Sequence, residues 1–228
     1  MTSITPMHVL ITGATGLVGQ GVLHEVLRDA HVTRITVLGR HPTGRSDPRL
    51  HEVLVQDFSD LGAVEERLKG IDACLYCAGA PPIGTPEDLY RHVTVTLTKS
   101  VASTLARLNP GMRFLYVSGA NANAASRFMP LRVKGEAEQA LQALALRCTM
   151  LRPGGIQPAH GERSPHRGLR ALYALGAPLM GIGVALAPSL MTSTALLGKA
   201  MLALLQMPDP PAVVENARIN QLGKTTSS

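Results

Sequence analysis

The sequence predicts a doubly wound, mainly parallel α/β sheet with helices on both faces. Three observations predict it. Six short apolar runs rich in β-branched residues alternate with stretches of helical periodicity, a glycine-rich turn joins the first run to the first helix, and 228 residues with 45% hydrophobic content can bury one full core. Strands that read as continuous apolar runs belong in a parallel sheet covered on both sides, and parallel strands need crossover helices between them.

Taken in order, the strand-like runs are HVLIT (8–12), RITVL (34–38), EVLVQ (52–56), ACLYC (73–77), RFLYV (113–117) and CTML (148–151). Between them lie LVGQGVLHEVLRD (17–29), LGAVEERLKG (61–70), PEDLYRHVTVTLTKSVASTLARL (86–108) and PLRVKGEAEQALQALAL (130–146), each with apolar residues at helical spacing. The chain reads as a single domain over 1–223, with 157–190 as a substrate-side loop and helix region. Residues 224–228 form a tail with too little apolar surface to order.

The formal net charge of +6 permits loose attraction to phosphates, but the basic residues are scattered, so no nucleic-acid partner is expected. Three cysteines are too few and too irregular for a disulfide framework and point to a reducing, cytoplasmic setting. Cys74 and Cys77 have CxxC spacing, yet no second pair completes a metal site, and both read as buried strand residues. The N-terminal MTSITPMHVLITG lacks the basic leader and long apolar stretch of a targeting signal. From Ala171 to Gly198 no side chain is charged, but Gly176, Pro178, Gly181, Gly183 and Pro188 interrupt the run. It reads as a buried lid or as the contact of a homodimer, and membrane attachment is not expected.

The motif with most chemical content is VLITGATGLVGQG. Gly13, Gly16 and Gly19, with Thr15 and Leu17 between them, connect a strand to a helix. Glycines there let the chain turn sharply and approach a pyrophosphate, whose charge the free amides of the helix start would hold. Where the second strand ends, an NAD-preferring protein commonly places an acidic residue for the ribose 2′-hydroxyl. Here the sequence has Arg40, whose guanidinium suits a 2′-phosphate, with Arg45 as a second contact. NADP(H) is therefore expected as cofactor, ahead of NAD(H).

TGATGLVG, LGR (38–40), QDF (56–58), CAGA (77–80) and RPGGI (152–156), in that order, resemble the short-chain dehydrogenase/reductase superfamily. The likeness is to its extended or atypical branch, with NmrA-like and Tat-interacting-protein-30-like members, and it covers the chain to about residue 205. The resemblance implies that Asp57 and Phe58 border the adenine, that Ala78 and Gly79 line the cofactor cleft, and that Pro153, in the RPG turn, sits near the nicotinamide. It also implies a serine after the fifth strand and a Tyr-x-x-x-Lys pair on the next helix. Ser118 and Lys134 match as catalytic residues, with Lys134 also holding the nicotinamide ribose. The tyrosine position holds Pro130.

Tyr76, Tyr90, Tyr116 and Tyr173 all lack a lysine four residues downstream, so the motif has not shifted. Pro130 is compatible with a first helical turn. Three groups can stand in for the phenol: the Ser118 hydroxyl, a water near Asn121 or Asn123, or a side chain from the later loop, where His160, Glu162, Arg163, His166 and Arg167 cluster. Arg127 and Arg132 can polarise a carbonyl but not shuttle its proton. Two functions stay open: a reductase or epimerase-like enzyme acting on a small-molecule substrate, and a silent dinucleotide sensor that regulates a protein partner.

Overall fold

The computed structural model describes residues 6–162 and 189–225. Arg163, His166, Arg167 and the greater part of the uncharged 171–198 segment lie outside the described residues.

Seven strands form one parallel sheet in the order β3-β2-β1-β4-β5-β6-β9. They are β1 (Met7–Thr12), β2 (Val32–Gly39), β3 (Leu50–Leu54), β4 (Ala73–Tyr76), β5 (Arg113–Val117), β6 (Arg147–Arg152) and β9 (Val213–Glu215). The first six are the six runs read from the sequence. A second, two-stranded parallel sheet joins β7 (Gly155–Gln157) to β8 (Met191–Ser193). Neither these two strands nor β9 was expected, because three residues are too few to show a period.

Alternate strand residues divide between two apolar layers. Val9, Ile11, Leu75 and Leu115 face α1 (Leu17–Arg28) and α5 (Thr194–Gln206), and pack with Val22, Val26, Leu197 and Met201. Leu10, Cys74, Phe114 and Tyr116 face the other way, against Val101 and Leu105 of α3 (Thr98–Leu108) and Ala137 and Leu141 of α4 (Met129–Gln142). Each such aliphatic side chain, fully buried, contributes about 1.5–3 kcal/mol before entropy is counted.

The helix expected over 86–108 is built in three joined parts: α2 (Glu87–Arg91), a π-helical stretch (His92–Leu97) and α3. The stretch expected as a helix over 61–70 is a 3-10 helix, Gly62–Leu68. The last helix, α6 (Asn216–Thr225), takes in Lys224 and Thr225, which the sequence assigned to a disordered tail. Ile219 and Leu222 bury its inner face in the α1/α5 layer, which anchors the final turn. The sheet order reverses between β1 and β4, and a doubly wound sheet opens its ligand crevice beyond the strand ends at that point.

Candidate functional site

A groove runs across the carboxyl ends of β1 and β4. Its first half is lined by Gly13–Gly16 of the glycine turn, Gly39 to His41 after β2, Gln56 to Phe58 after β3, Tyr76 to Gly79, and His92, Val93 and Leu97 of the π-helical stretch. Its second half shares Gly16, Ala78 and Gly79 and continues along Leu17, Tyr90, Ser118, Pro130, Lys134 and Pro153. The two halves hold about 340 and 400 Å³, the size of cofactor sites.

The glycine turn is made by close backbone approach. Gly13 has φ +68°, and a Cβ there would stand 2.6 Å from the Ala78 backbone nitrogen. A Cβ on Gly19 would meet the Gly13 carbonyl oxygen at 2.1 Å, so Gly19 lets α1 begin directly against the turn. The Thr12 hydroxyl accepts from the Ala78 N–H at 3.3 Å and ties the ends of β1 and β4 together. Gly16 caps α1 without a side-chain hydrogen bond, and the first turn carries no acidic residue. The first amides of α1 are thus open to an anionic ligand, supported by the helix dipole. These features fit a dinucleotide pyrophosphate.

Arg40 lines the groove, exposed, and pairs with no carboxylate among the described residues. Arg45 does not line it. Its expected role as a second contact is therefore not reproduced by the groove lining. Asp57 and Phe58 line the groove as expected. The Asp57 carboxylate accepts from the Ser59 hydroxyl and N–H at 2.6 and 2.7 Å, and these bonds hold it below the usual carboxylate range.

Lys134 projects from α4 into the second half. Its ammonium donates to the Val117 carbonyl at 3.0 Å and to the Tyr116 hydroxyl at 3.2 Å, and lies 4.8 Å from the Tyr116 ring centre. Burial lowers its pKa to about 8, partly opposed by Glu138. Two of three N–H groups are used, which leaves one for a ligand. Pro130 lies one turn earlier on the same wall. Tyr116 is not a displaced catalytic phenol, since it is fully buried and burial holds its pKa well above normal.

Ser118 is diverted. Its hydroxyl donates to Glu138 Oε1 at 2.5 Å, and both residues are buried. Arg152 closes the network, giving Glu138 hydrogen bonds of 3.0 and 2.6 Å and reaching Glu215 at 3.0 Å. Ser118 lines the groove, but its proton is directed away from a substrate carbonyl. Asn121 and Asn123, expected to hold a water there, line a separate polar pocket with Gln139, Gln142 and Arg152. Arg132 bonds Glu87 at 2.8 Å instead of facing the second half. His160 and Glu162 do not line the groove either; both turn toward α1.

The sequence reading missed Glu138, Tyr116 and His92. Glu138 had a signal: it stands four residues after Lys134 and beside Ala137 on the inward face of α4, where a carboxylate needs a buried partner. Tyr116 and His92 depend on pairing across the sheet and on the π-helical offset, which spacing along one segment does not show.

Cys74, Cys77 and Cys148 are free thiols, as read from the sequence, and burial pushes Cys77 up to about 12. No helix among the described residues is long and apolar enough to cross a membrane.

A family profile described as NAD(P)H-binding matches residues 13–170. The chain is 29% identical over 160 residues to Leucinostatins biosynthesis cluster protein T of Purpureocillium lilacinum, an alignment covering 66% of this chain and 58% of that protein. Similarity to Protein HTATIP2 of Rattus norvegicus is 28% over 160 residues, covering 69% and 66% of the two chains. The chain therefore spans somewhat under two thirds of these two relatives. Protein FMP52-1, mitochondrial, of Scheffersomyces stipitis is 26% identical over 177 residues, 75% of each chain.

Among solved structures, a UDP-glucuronic acid 4-epimerase from Bacillus cereus in complex with NAD superposes with a TM-score of 0.67 at 13% identity, over 91% of this chain and 76% of that one. A thiolation-reductase di-domain from an archaeal non-ribosomal peptide synthetase gives 0.70 at 18% identity, over 92% and 70%. At such identities the likeness speaks for the shared fold. The chain belongs to the NAD(P)H-binding family, and Pro130 stands where the resemblance to the short-chain dehydrogenase/reductase superfamily implies a tyrosine.

Proposed function

We propose that the protein is an NADPH-dependent reductase of small-molecule carbonyl compounds in which the Lys134 ammonium replaces the missing phenol as proton donor. The observation that carries this reading is the place of Lys134: in the groove wall beside Pro130, with one N–H left after Val117 and Tyr116 take the other two. Arg40, at the other end and without a carboxylate partner among the described residues, selects the 2′-phosphate. NADPH, held in the groove, would supply the hydride that reduces the carbonyl carbon. Lys134 donates a hydrogen bond to the carbonyl oxygen, gives up that proton as the alcohol forms, and is reprotonated from solvent. An epimerase-like use of the site would run the same proton transfer in both directions. The free thiols agree with a reducing compartment, and we place the protein in the cytoplasm.

A specific observation favours a second reading. Because the Ser118 hydroxyl donates its hydrogen bond to Glu138, that serine is engaged elsewhere than at a substrate, as a silent dinucleotide sensor acting on a protein partner would allow. NADPH oxidation with a panel of aldehydes and ketones separates the two. A reductase shows slow turnover that falls as pH rises through about 8, because the acid form of Lys134 is lost there. Lys134→Met should lower kcat at saturating NADPH by on the order of 10²-fold or more. Tight NADPH binding without oxidation by any carbonyl would establish the sensor reading, and an unchanged kcat in Lys134→Met would remove Lys134 as the acid.

A further inference from the structure

Away from the groove, three potential metal ligands meet where the segment after β7 crosses α1. His24 and Glu25 come from the third turn of α1, and His160 from the turn that follows β7. One ligand atom from each lies within 4.8 Å of the others. Tetrahedral coordination at about 2.0–2.2 Å would bring such atoms to roughly 3.4 Å apart, so the approach needed is on the order of 1 Å.

The cluster is held by buried supports. The Glu25 side chain is 6% exposed, and its Oε1 is 2.8 Å from His160 Nε2. The His160 backbone N–H donates to Glu162 Oε2 at 2.8 Å. Glu162 Oε1 accepts from the Thr194 hydroxyl at 2.6 Å, and Thr194 in turn accepts from the Ala159 N–H at 3.0 Å. Glu162 and Thr194 are both buried, so the turn that carries His160 is fixed against the start of α5. Gly21 and Gly198 deepen the contact, since a Cβ on either would collide with Thr194 or Glu25.

We propose that His24, Glu25 and His160 form a binding site for one divalent first-row transition-metal ion, with zinc the best match to two imidazoles and a carboxylate. The rings of His24 and His160 stack with centroids 4.0 Å apart at 25°. Parallel rings direct their lone pairs side by side, so capture requires the His24 ring to turn out of the stack toward Glu25. Its partial exposure permits that turn. Water completes the coordination.

Pro153, Gly154 and Ile156 line the groove immediately before this turn. The metal would therefore clamp the strand leaving the groove onto the helix whose first turn faces the cofactor phosphates. This inference is independent of the reductase reading and needs no turnover to test.

The test uses untagged protein stripped with a chelator, titrated with Zn²⁺ by calorimetry and with Co²⁺ by visible absorption. One equivalent should bind and raise the melting temperature. His24→Ala and His160→Ala should each weaken binding more than about tenfold. His31→Ala, which removes a half-buried His–Asp pair elsewhere, should leave it unchanged. If Glu25→Gln fails to fold, the double variant His24→Ala/His160→Ala, checked for NADPH binding, decides the matter. Absence of saturable binding by the wild type, or unchanged binding by the double variant, overturns the proposal.

Discussion

In the first half of the groove, the turn geometry, the uncapped α1 start and Arg40, which has no carboxylate partner among the described residues, all fit the proposed dinucleotide. In the second half, Lys134 keeps its place, Pro130 fills the tyrosine's, and Ser118 is drawn into a buried network with Glu138 and Arg152. The difference teaches that binding and chemistry were specified separately. The first half depends on backbone shape, which tolerates little change, whereas the second depends on a few side-chain hydrogen bonds that can be redirected without disturbing the fold.

The largest effect expected would break the comparison by restoring the second half. Pro130→Tyr returns a phenol one turn before Lys134, and positioned acid–base catalysis is worth roughly 10² to 10⁴-fold. NADPH-dependent carbonyl reduction should rise by a factor in that range, measured as kcat in a variant confirmed to bind NADPH. A wild type with brisk turnover that Pro130→Tyr diminishes would mean that the proline belongs to a working active site.

Gly13→Ala attacks the first half. Alanine at a positive φ costs about 1–2 kcal/mol, and the added Cβ would press on the backbone of Cys77 and Ala78, so a total near 3 kcal/mol is expected. For a chain of this size that lowers the melting temperature by about 6–12 °C. NADPH binding should be lost with it, as read by calorimetry. A variant that melts normally and binds NADPH would show that the turn can relax.

The contrast also explains what was legible in the sequence. The six long strands, α1 and the glycine turn follow from local periodicity and turn chemistry, which act within a dozen residues and survive any tertiary context. Gly13, Gly16, Asp57, Phe58 and Ala78 line the groove because strand ends deliver them there. The fate of Ser118 was not legible: its partner Glu138 lies twenty residues away, and the choice between substrate and carboxylate depends on how β5 sits against α4. His160 is expected on the substrate side because it lies in the loop beyond the sixth strand. The strand pair β7–β8 carries the chain away from the groove and onto α1, and three-residue strands leave no periodic trace.

The smallest effects sharpen the comparison within the first half, where two arginines were expected to share one phosphate. Arg40 lines the groove and Arg45 does not. A charge-assisted bond to the 2′-phosphate contributes about 1.5–3 kcal/mol, so Arg40→Ala should weaken NADPH binding by roughly 10- to 150-fold and leave NADH binding unchanged. Arg45→Ala should change either affinity by no more than about 0.5 kcal/mol, the level of an ordinary surface substitution. Both are measured by calorimetric titration with the two cofactors at fixed ionic strength, since exposed charges are screened by salt. Equal wild-type affinities for NADPH and NADH would remove the role of Arg40. A loss at Arg45 matching that at Arg40 would mean that the loop after β2 folds over the phosphate on binding, bringing into the groove a guanidinium that otherwise does not line it.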